Sequence, residues 1–517
     1  MVLHNNDEFL VYPVIVMRTG GLDGVALQAR EYRHLLNSMD IGVHVMTGRC
    51  ETKFTTVNPI GHQQTTVSRL DFYHKDSRLL FANQFEHGSE AEEGIKSLTE
   101  AEWIELFHLH KTKIKKRIMK VLQKVEHQTP VLIYNLVSLR HAHPAAGAAL
   151  KEIIKENPQR AFLSHSADPD AERPEKIERI KKYILPYISA NSLLEDYSGG
   201  PLMLDNLYHI VLNPTQRDNF INKYSIPENH VFEIPDFLDF ISKDPAIRLA
   251  PSKIFMNFLR NHQIKVKGKS YTYEKGDINK DTVIFLSPVR PVYRKRLKEA
   301  MLMAKAYGLS RGLDVAFIIT HPNIDDKKYF LEILKFAELI DLPYYHLGKT
   351  FTIDTLDSVY DNLATLKTIG VVASSAGGWE NALNEMARAC IPFFMNSTLN
   401  SFKPLTEEIG IKTLGFDFAK ADPYITEIEN NVEHKLSTLD QEHPLVQKLF
   451  TWFDEILLQP AARRKLIEHN YHCAYNYLSH DATLPRLVKC INYIYHRHST
   501  PGRKINASTL TKITHEF

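Results

Sequence analysis

The chain has 517 residues, 44% hydrophobic and 24% charged, with 63 Lys and Arg set against 61 Asp and Glu for a formal charge of +2. At about 150 residues per domain, this length predicts roughly two to four domains, and no apolar run approaches the ~18 residues of a membrane span. The near-zero balance gives no global field for nucleic acid, so no nucleic-acid partner is expected and an anionic ligand must be met by local groups.

Four cysteines, Cys50, Cys390, Cys473 and Cys490, are far apart and form no C-x-x-C pair, which speaks against a disulfide framework or a zinc site. A reducing compartment fits. Residues 1–17 lack the basic segment of a secretory signal, so the expected location is the cytoplasm.

In chain order, the apolar run Val11 to Met17 predicts a strand, Arg18-Thr19-Gly20-Gly21 a turn, and Val25 to Leu36 a helix. Short apolar runs recur at Gly42 to Met46, Val131 to Tyr134 and Ala161 to Ser164 after helical stretches, the alternation of a parallel sheet. From about Lys243 to Asp281 the chain turns polar. A second strand series follows at Thr282 to Leu286, Val315 to Ile319, Tyr344 to Leu347, Gly370 to Ala373 and Ile391 to Phe394, and Leu445 to Tyr495 reads as helical. The expected division is an N-terminal Rossmann-like domain at 1–242, a linker or insertion at 243–280, and a second Rossmann-like domain at 281–480. A returning helix at 481–498 and a tail at 499–517 complete it.

Two segments carry the chemistry of a phosphate site. Ser374 to Ala387 places Gly377, Gly378 and Trp379 between a strand and a helix, where unpaired backbone amides and the positive end of the helix attract an anion. Glu385 lies within reach of a ribose, although an ordinary turn with a solvated glutamate is the better explanation of this segment when taken alone. Arg290 and Lys295, five apart in a strand-to-helix loop, can converge on a diphosphate, Arg as a fork and Lys as a point charge. A basic helix start opposes the helix dipole, which weakens a purely structural reading.

In order and spacing these pieces resemble the retaining GT-B-fold glycosyltransferases of family 4, near the mannosylglucosylglycerate-synthase-like branch. The Arg-x4-Lys of that branch is matched by Arg290 and Lys295. Its acidic-Gly-aromatic-x-Asn-Ala-x-x-Glu segment is matched by Gly378, Trp379, Asn381, Ala382 and Glu385, whereas Gly377 stands where the first acid belongs. Glu380 is the available substitute for that acid, which in the family approaches the transferred sugar. The resemblance also covers Thr19 to Val25, where Gly20 and Gly21 would border the donor phosphates and Asp23 the acceptor. It further covers Asn135 to Leu139 on the acceptor side, His165 as a contact to the transferred sugar, Pro235 to Asp239, and the terminal helix. It implies an α/β fold of two Rossmann-like doubly wound domains facing across a cleft, and a metal-independent hexose transfer with retention. The donor would be a nucleoside diphosphate sugar carrying mannose or glucose, the acceptor a sugar or glycan, and no cofactor would be needed. A disaccharide phosphorylase and a catalytically silent sugar-nucleotide or glycan-binding protein are the rival readings.

Asp168-Pro169-Asp170 has the spacing of a D-x-D metal motif, but proline between the acids in a polar loop speaks against it, and no metal is expected. Residues 111–125 combine Lys111, Lys113, Lys115, Lys116, Arg117, Lys120 and Lys124 with the apolar stripe Ile114, Ile118, Leu122 and Val125. This is either a basic amphipathic helix for peripheral contact with an anionic membrane, or a packed helix with a solvated lysine face.

Overall fold

The computed structural model describes residues 12–19, 24–38, 43–49, 63–84, 96–125, 130–167, 169, 178, 200–240, 251–260, 264–266, 269–271, 278–321, 327–347, 353–375, 379–425 and 443–498. They fall into two units, one of residues 1–237 with 480–517 and one of residues 238–479.

In the first unit β1 (Tyr12–Thr19), β2 (Val43–Arg49), β3 (Gln63–Thr66), β4 (Val131–Tyr134), β5 (Phe162–His165), β6 (Leu207–Val211) and β7 (Val231–Glu233) form a sheet ordered β3-β2-β1-β4-β5-β6-β7. Every pairing in it is parallel. The Ala-rich helix Pro144–Glu156 starts with Pro at its first turn and a His143 ring that accepts from the Ala146 amide. The helix Glu100–Leu122 begins with a capping box, in which Thr99 accepts from the Glu102 amide and Glu102 from the Thr99 amide. Its apolar stripe is buried: Trp103, Phe107, Ile114 and Ile118 pack against Ala145, Ala149 and Ile153. Lys111 and Lys115 are bound to Glu152 at 2.5 and 2.9 Å, and Lys115 also to Glu156 at 2.5 Å. The amphipathic segment of 111–125 is therefore a packed helix whose apolar side is already covered, leaving Lys113, Lys116, Arg117, Lys120 and Lys124 exposed.

The last helix, His480–His498, belongs to this unit, where Leu487, Cys490 and Ile494 join Tyr32, Tyr208 and Phe237 in one core. His480 Nε2 lies 2.9 Å from Glu31 on the helix Gly24–Ser38.

In the second unit β10 (Val283–Ser287), β11 (Val315–Ile319), β12 (Tyr344–His346), β13 (Lys367–Val372), β14 (Phe393–Asn396) and β15 (Leu414–Phe416) give the order β12-β11-β10-β13-β14-β15, again all parallel. This is the doubly wound order 3-2-1-4-5-6, whose ligands lie beyond the carboxyl ends of the strands where the order reverses, here between β10 and β13. Gly370 on β13 lets the helix Asn381–Arg388 come close, since a Cβ there would overlap Met386 Sδ. The polar stretch 243–280 contains the helix Lys253–Arg260 and an antiparallel ribbon of β8 (Ile264–Val266) and β9 (Lys269–Tyr271). No described helix is long and apolar enough to cross a membrane.

Three buried histidines of the first unit are kept neutral. The Arg69 guanidinium donates to His110 Nδ1 at 2.7 Å, and His110 Nε2 lies 3.0 Å from Ser77 Oγ. His143 Nε2–H donates to the Arg69 carbonyl at 2.8 Å and His209 Nε2–H to the Leu202 carbonyl at 3.0 Å. Burial is the largest cause in each case, lowering His110 to about 3 and His143 and His209 to about 4. The unfolded chain takes up these protons near pH 6.5 and the folded unit does not, so stability falls as pH drops from there towards 4. At pH 5 each fully buried histidine should cost ~2 kcal/mol. Hydrogen exchange in the helix Glu100–Leu122 should accelerate between pH 7.5 and 5 after correction for intrinsic rates; unchanged opening free energies would contradict this.

Candidate functional site

The loop after β10 turns inward through a short 3-10 turn, Tyr293–Lys295, and then reverses at Arg296, whose φ of +47° lies in the left-handed region. That conformation is unfavourable for arginine, and the side chain is anchored through one guanidinium nitrogen, NH1, which donates to Glu299 at 3.1 Å and to Asp422 at 2.7 Å. The reversal leaves Tyr293 78% exposed and puts Lys295 inside, 5% exposed.

A second loop meets this one from β13. Ser375 donates its amide and its hydroxyl to the Arg294 carbonyl, at 2.8 and 3.2 Å. Lys295 Nζ donates to both oxygens of Glu380, at 2.5 and 2.6 Å, and Arg294 NH1 lies 3.9 Å from the same carboxylate. Burial pushes Lys295 down to about 7; Arg294 and Arg290 push the same way and Glu380 opposes them. Glu380 immediately precedes the helix Asn381–Arg388 without capping it, because its carboxylate is committed to the lysine.

Around these loops, buried polar side chains stand at the carboxyl ends of the strands: Ser287 on β10, Thr320 after β11, Ser374 after β13 and Asn396 on β14. Ser287 Oγ donates to the Val371 carbonyl and Asn396 Nδ2 to the Ser374 carbonyl, at 3.2 and 3.0 Å. Trp379 Nε1 donates to Asn384 Oδ1 at 3.1 Å, which fixes the indole against the helix start beside Asn381. Glu385 accepts from the fully buried Tyr360 hydroxyl. Burial and that carboxylate hold the phenol well above its usual range. Arg290, Lys295, Trp379, Glu380, Asn381 and Glu385 thus belong to one unit and one sheet end. Gly377 and Gly378 lie outside the described residues.

Thr320, Tyr360, Asn384 and Asn396 escaped the sequence reading. Its one usable signal was a polar residue closing an apolar strand, as in Ile319-Thr320 and Met395-Asn396. Tyr360 sits in a helical segment with nothing local to mark it.

In the first unit His165 closes β5 beside Tyr134 at the end of β4, their rings 4.8 Å apart. The imidazole is buried, its Nε2 3.2 Å from Asp236 Oδ1 and its ring edge-on to Tyr32. Asn135, with φ of +51°, accepts from the Ala167 amide at 2.9 Å and donates its own amide to the His165 carbonyl at 2.7 Å, so it joins the two strand ends. Gly20, Gly21, Asp23, Asp168 and Asp170 lie outside the described residues. Among those described, ligand atoms of His74, Asp76 and His110 come within 4.8 Å of one another. The Arg69 guanidinium already donates to Asp76 and His110, so a side-chain cation fills that place.

No family model matches the chain, and no curated protein matches it in sequence. Solved structures do match over nearly the whole length. A trehalose 6-phosphate synthase from Burkholderia multivorans aligns with a TM-score of 0.56 at 12% identity over 95% of this chain and 99% of its own. A sucrose-phosphate synthase from Thermosynechococcus elongatus gives 0.55 at 11% over 94% and 99%. A glycosyltransferase from Rickettsia africae gives 0.53 at 12% over 94% and 98%. The chain has the GT-B fold. At these identities the likeness concerns architecture: two doubly wound units of parallel sheet, shared with enzymes of sugar transfer.

The lysine-glutamate pair makes a stability prediction. Lys295→Met takes from the buried Glu380 carboxylate the ammonium that holds both its oxygens, leaving it the more distant Arg294, and should destabilise the second unit by ~3 kcal/mol. Adding Glu380→Leu should recover most of that loss. Urea unfolding of the single and double variants measures both; additive effects would show that the pair is not coupled.

Proposed function

We propose that the protein is a retaining glycosyltransferase of the family 4 type, moving a hexose, mannose or glucose, from a nucleoside diphosphate sugar to a sugar or glycan acceptor. The observation that carries this reading is a cluster of Arg290, Arg294 and Lys295 at the carboxyl end of a doubly wound sheet, facing the segment that opens the helix Asn381–Arg388. A diphosphate there meets fixed cations and main-chain donors in a dry setting, where each interaction is worth more than in water. The GT-B fold supports the reading, because the solved structures with which it is shared include synthases of sugar phosphates.

When the bond to the anomeric carbon breaks, negative charge grows on the departing diphosphate. Arg290 and Lys295 neutralise it, and amides at the helix start receive the remaining oxygens. The acceptor attacks from the face the diphosphate leaves, and its proton passes to the leaving phosphate, so no protein base is required. Glu385, held on one side by Tyr360, offers its carboxylate to the ribose hydroxyls. Acceptor contacts fall to the first unit, with Asp23 and Asn135 on that side, and His165, 3.2 Å from Asp236, is the contact to the transferred sugar. No metal enters the scheme. The exposed row Lys113, Lys116, Arg117, Lys120 and Lys124 suits surface adhesion to anionic lipid, without insertion, because the apolar stripe is buried.

A panel of UDP- and GDP-hexoses, followed by donor hydrolysis and by transfer to simple sugars, tests the proposal. One donor should be consumed with its anomeric configuration retained. Nucleotide-independent, phosphate-dependent release of a sugar phosphate would replace it with a phosphorylase. Nucleotide binding with no consumption would replace it with a binding protein. Arg290→Ala should lower kcat/KM by ~3 kcal/mol, about a hundredfold, mostly in kcat. Glu385→Gln should act on nucleotide affinity instead; unchanged affinity would remove the carboxylate from the donor site.

A further inference from the structure

Glu380 sits three residues beyond the glycine that replaces the expected acid, and its carboxylate does not stand open towards a sugar. Both of its oxygens lie on one ammonium, at 2.5 and 2.6 Å, an arrangement that two phosphate oxygens would equally adopt. Lys295 and Glu380 are 5% and 9% exposed, so neither partner is idle in solvent and no water layer separates them. A phosphate that takes those two of the ammonium's three N–H donors must therefore displace the carboxylate.

We propose that Glu380 is an internal placeholder for the donor's diphosphate, occupying Lys295 until a polyanionic ligand displaces it. The inference rests on the donor reading above and names the residue that sets how strongly charged a ligand must be. A carboxylate carries one negative charge and a nucleoside diphosphate two to three, so exchange at the ammonium favours the diphosphate. The released carboxylate has a destination, because Arg294 NH1 already lies 3.9 Å from Glu380 Oε1 and a small rotation brings the two into contact. The Ser375 amide and hydroxyl on the Arg294 carbonyl hold that part of the loop in place during the exchange. An anion too weakly charged, such as a second carboxylate, gains nothing over the resident one. The carboxylate also supports the ammonium's charge when the site is empty, a support that a bound diphosphate supplies in its place.

Calorimetric titration of inorganic pyrophosphate, UDP and GDP into the wild type, Glu380→Gln and Lys295→Met at pH 6, where the wild type retains its ammonium, decides the matter. The order of affinity expected is Glu380→Gln first, roughly tenfold tighter than the wild type, and Lys295→Met last. If Glu380 instead supports Lys295 as part of the binding surface, Glu380→Gln falls to the level of Lys295→Met, and the placeholder is overturned while the donor reading stands. Equal affinity of Glu380→Gln and wild type overturns it likewise. If none of the three probes binds the wild type or Glu380→Gln, the donor reading itself fails, and the placeholder with it. Should Glu380→Gln not fold, crystals of the wild type with and without the tighter nucleotide give the answer. The carboxylate moves from Lys295 to Arg294 when the nucleotide is present, or it remains on Lys295 and the proposal is wrong.

Discussion

A buried ammonium and a buried carboxylate, 85 residues apart in sequence and 2.5 Å apart in space, organise the second unit's strand-end loops. Neither charge is stable alone at that depth, so each loop is obliged to meet the other. The reversal at Arg296 that turns Lys295 inward, its anchorage by Glu299 and Asp422, and the Ser375 bonds to the Arg294 carbonyl all serve that meeting. The result is a pair of joined loops at the switch point of the sheet, between β10 and β13, which is where the proposal places the donor's diphosphate.

The first unit solves a similar problem with different chemistry. One of its interior clusters sets imidazoles and a hydroxyl around Arg69, whose guanidinium does for Asp76 and His110 what an ion would do elsewhere. His165, Tyr134, Tyr32 and Asp236 form a second interior cluster at the ends of β4 and β5. This unit also buries Glu31, Arg160 and Asp236, so both units hold charge in their interiors.

Much of the architecture was legible because β1, β4, β10 and β11, at or beside the middle of the two sheets, each hold a continuous apolar run of four or more residues, as parallel strands buried on both faces do. The strands that escaped notice lack that signature. β3 is Gln-Gln-Thr-Thr at a sheet edge, and β7 and β15 have three residues each. β6 is interrupted by His209, a polar residue kept inside by a single carbonyl. In the site, Arg290, Lys295 and the segment before Asn381 could be read because loops between a strand and a helix have local chemistry. What the sequence could not supply was pairing. Glu380 looked available for the sugar because nothing nearby claims it, and its partner arrives only when β13 lies beside β10. The lysines at 111 and 115 looked available to a membrane for the same reason, since Glu152 and Glu156 come from another helix.

Hydrogen exchange of the intact chain, with and without a saturating sugar nucleotide, bears most directly on whether this sheet end is where the ligand goes. Amides of residues 288–296 and 379–386 should slow their exchange, while those of the helix Glu100–Leu122 should not change. Protection centred on any other part of the second unit, or on the histidine-rich corner of the first, would contradict the account.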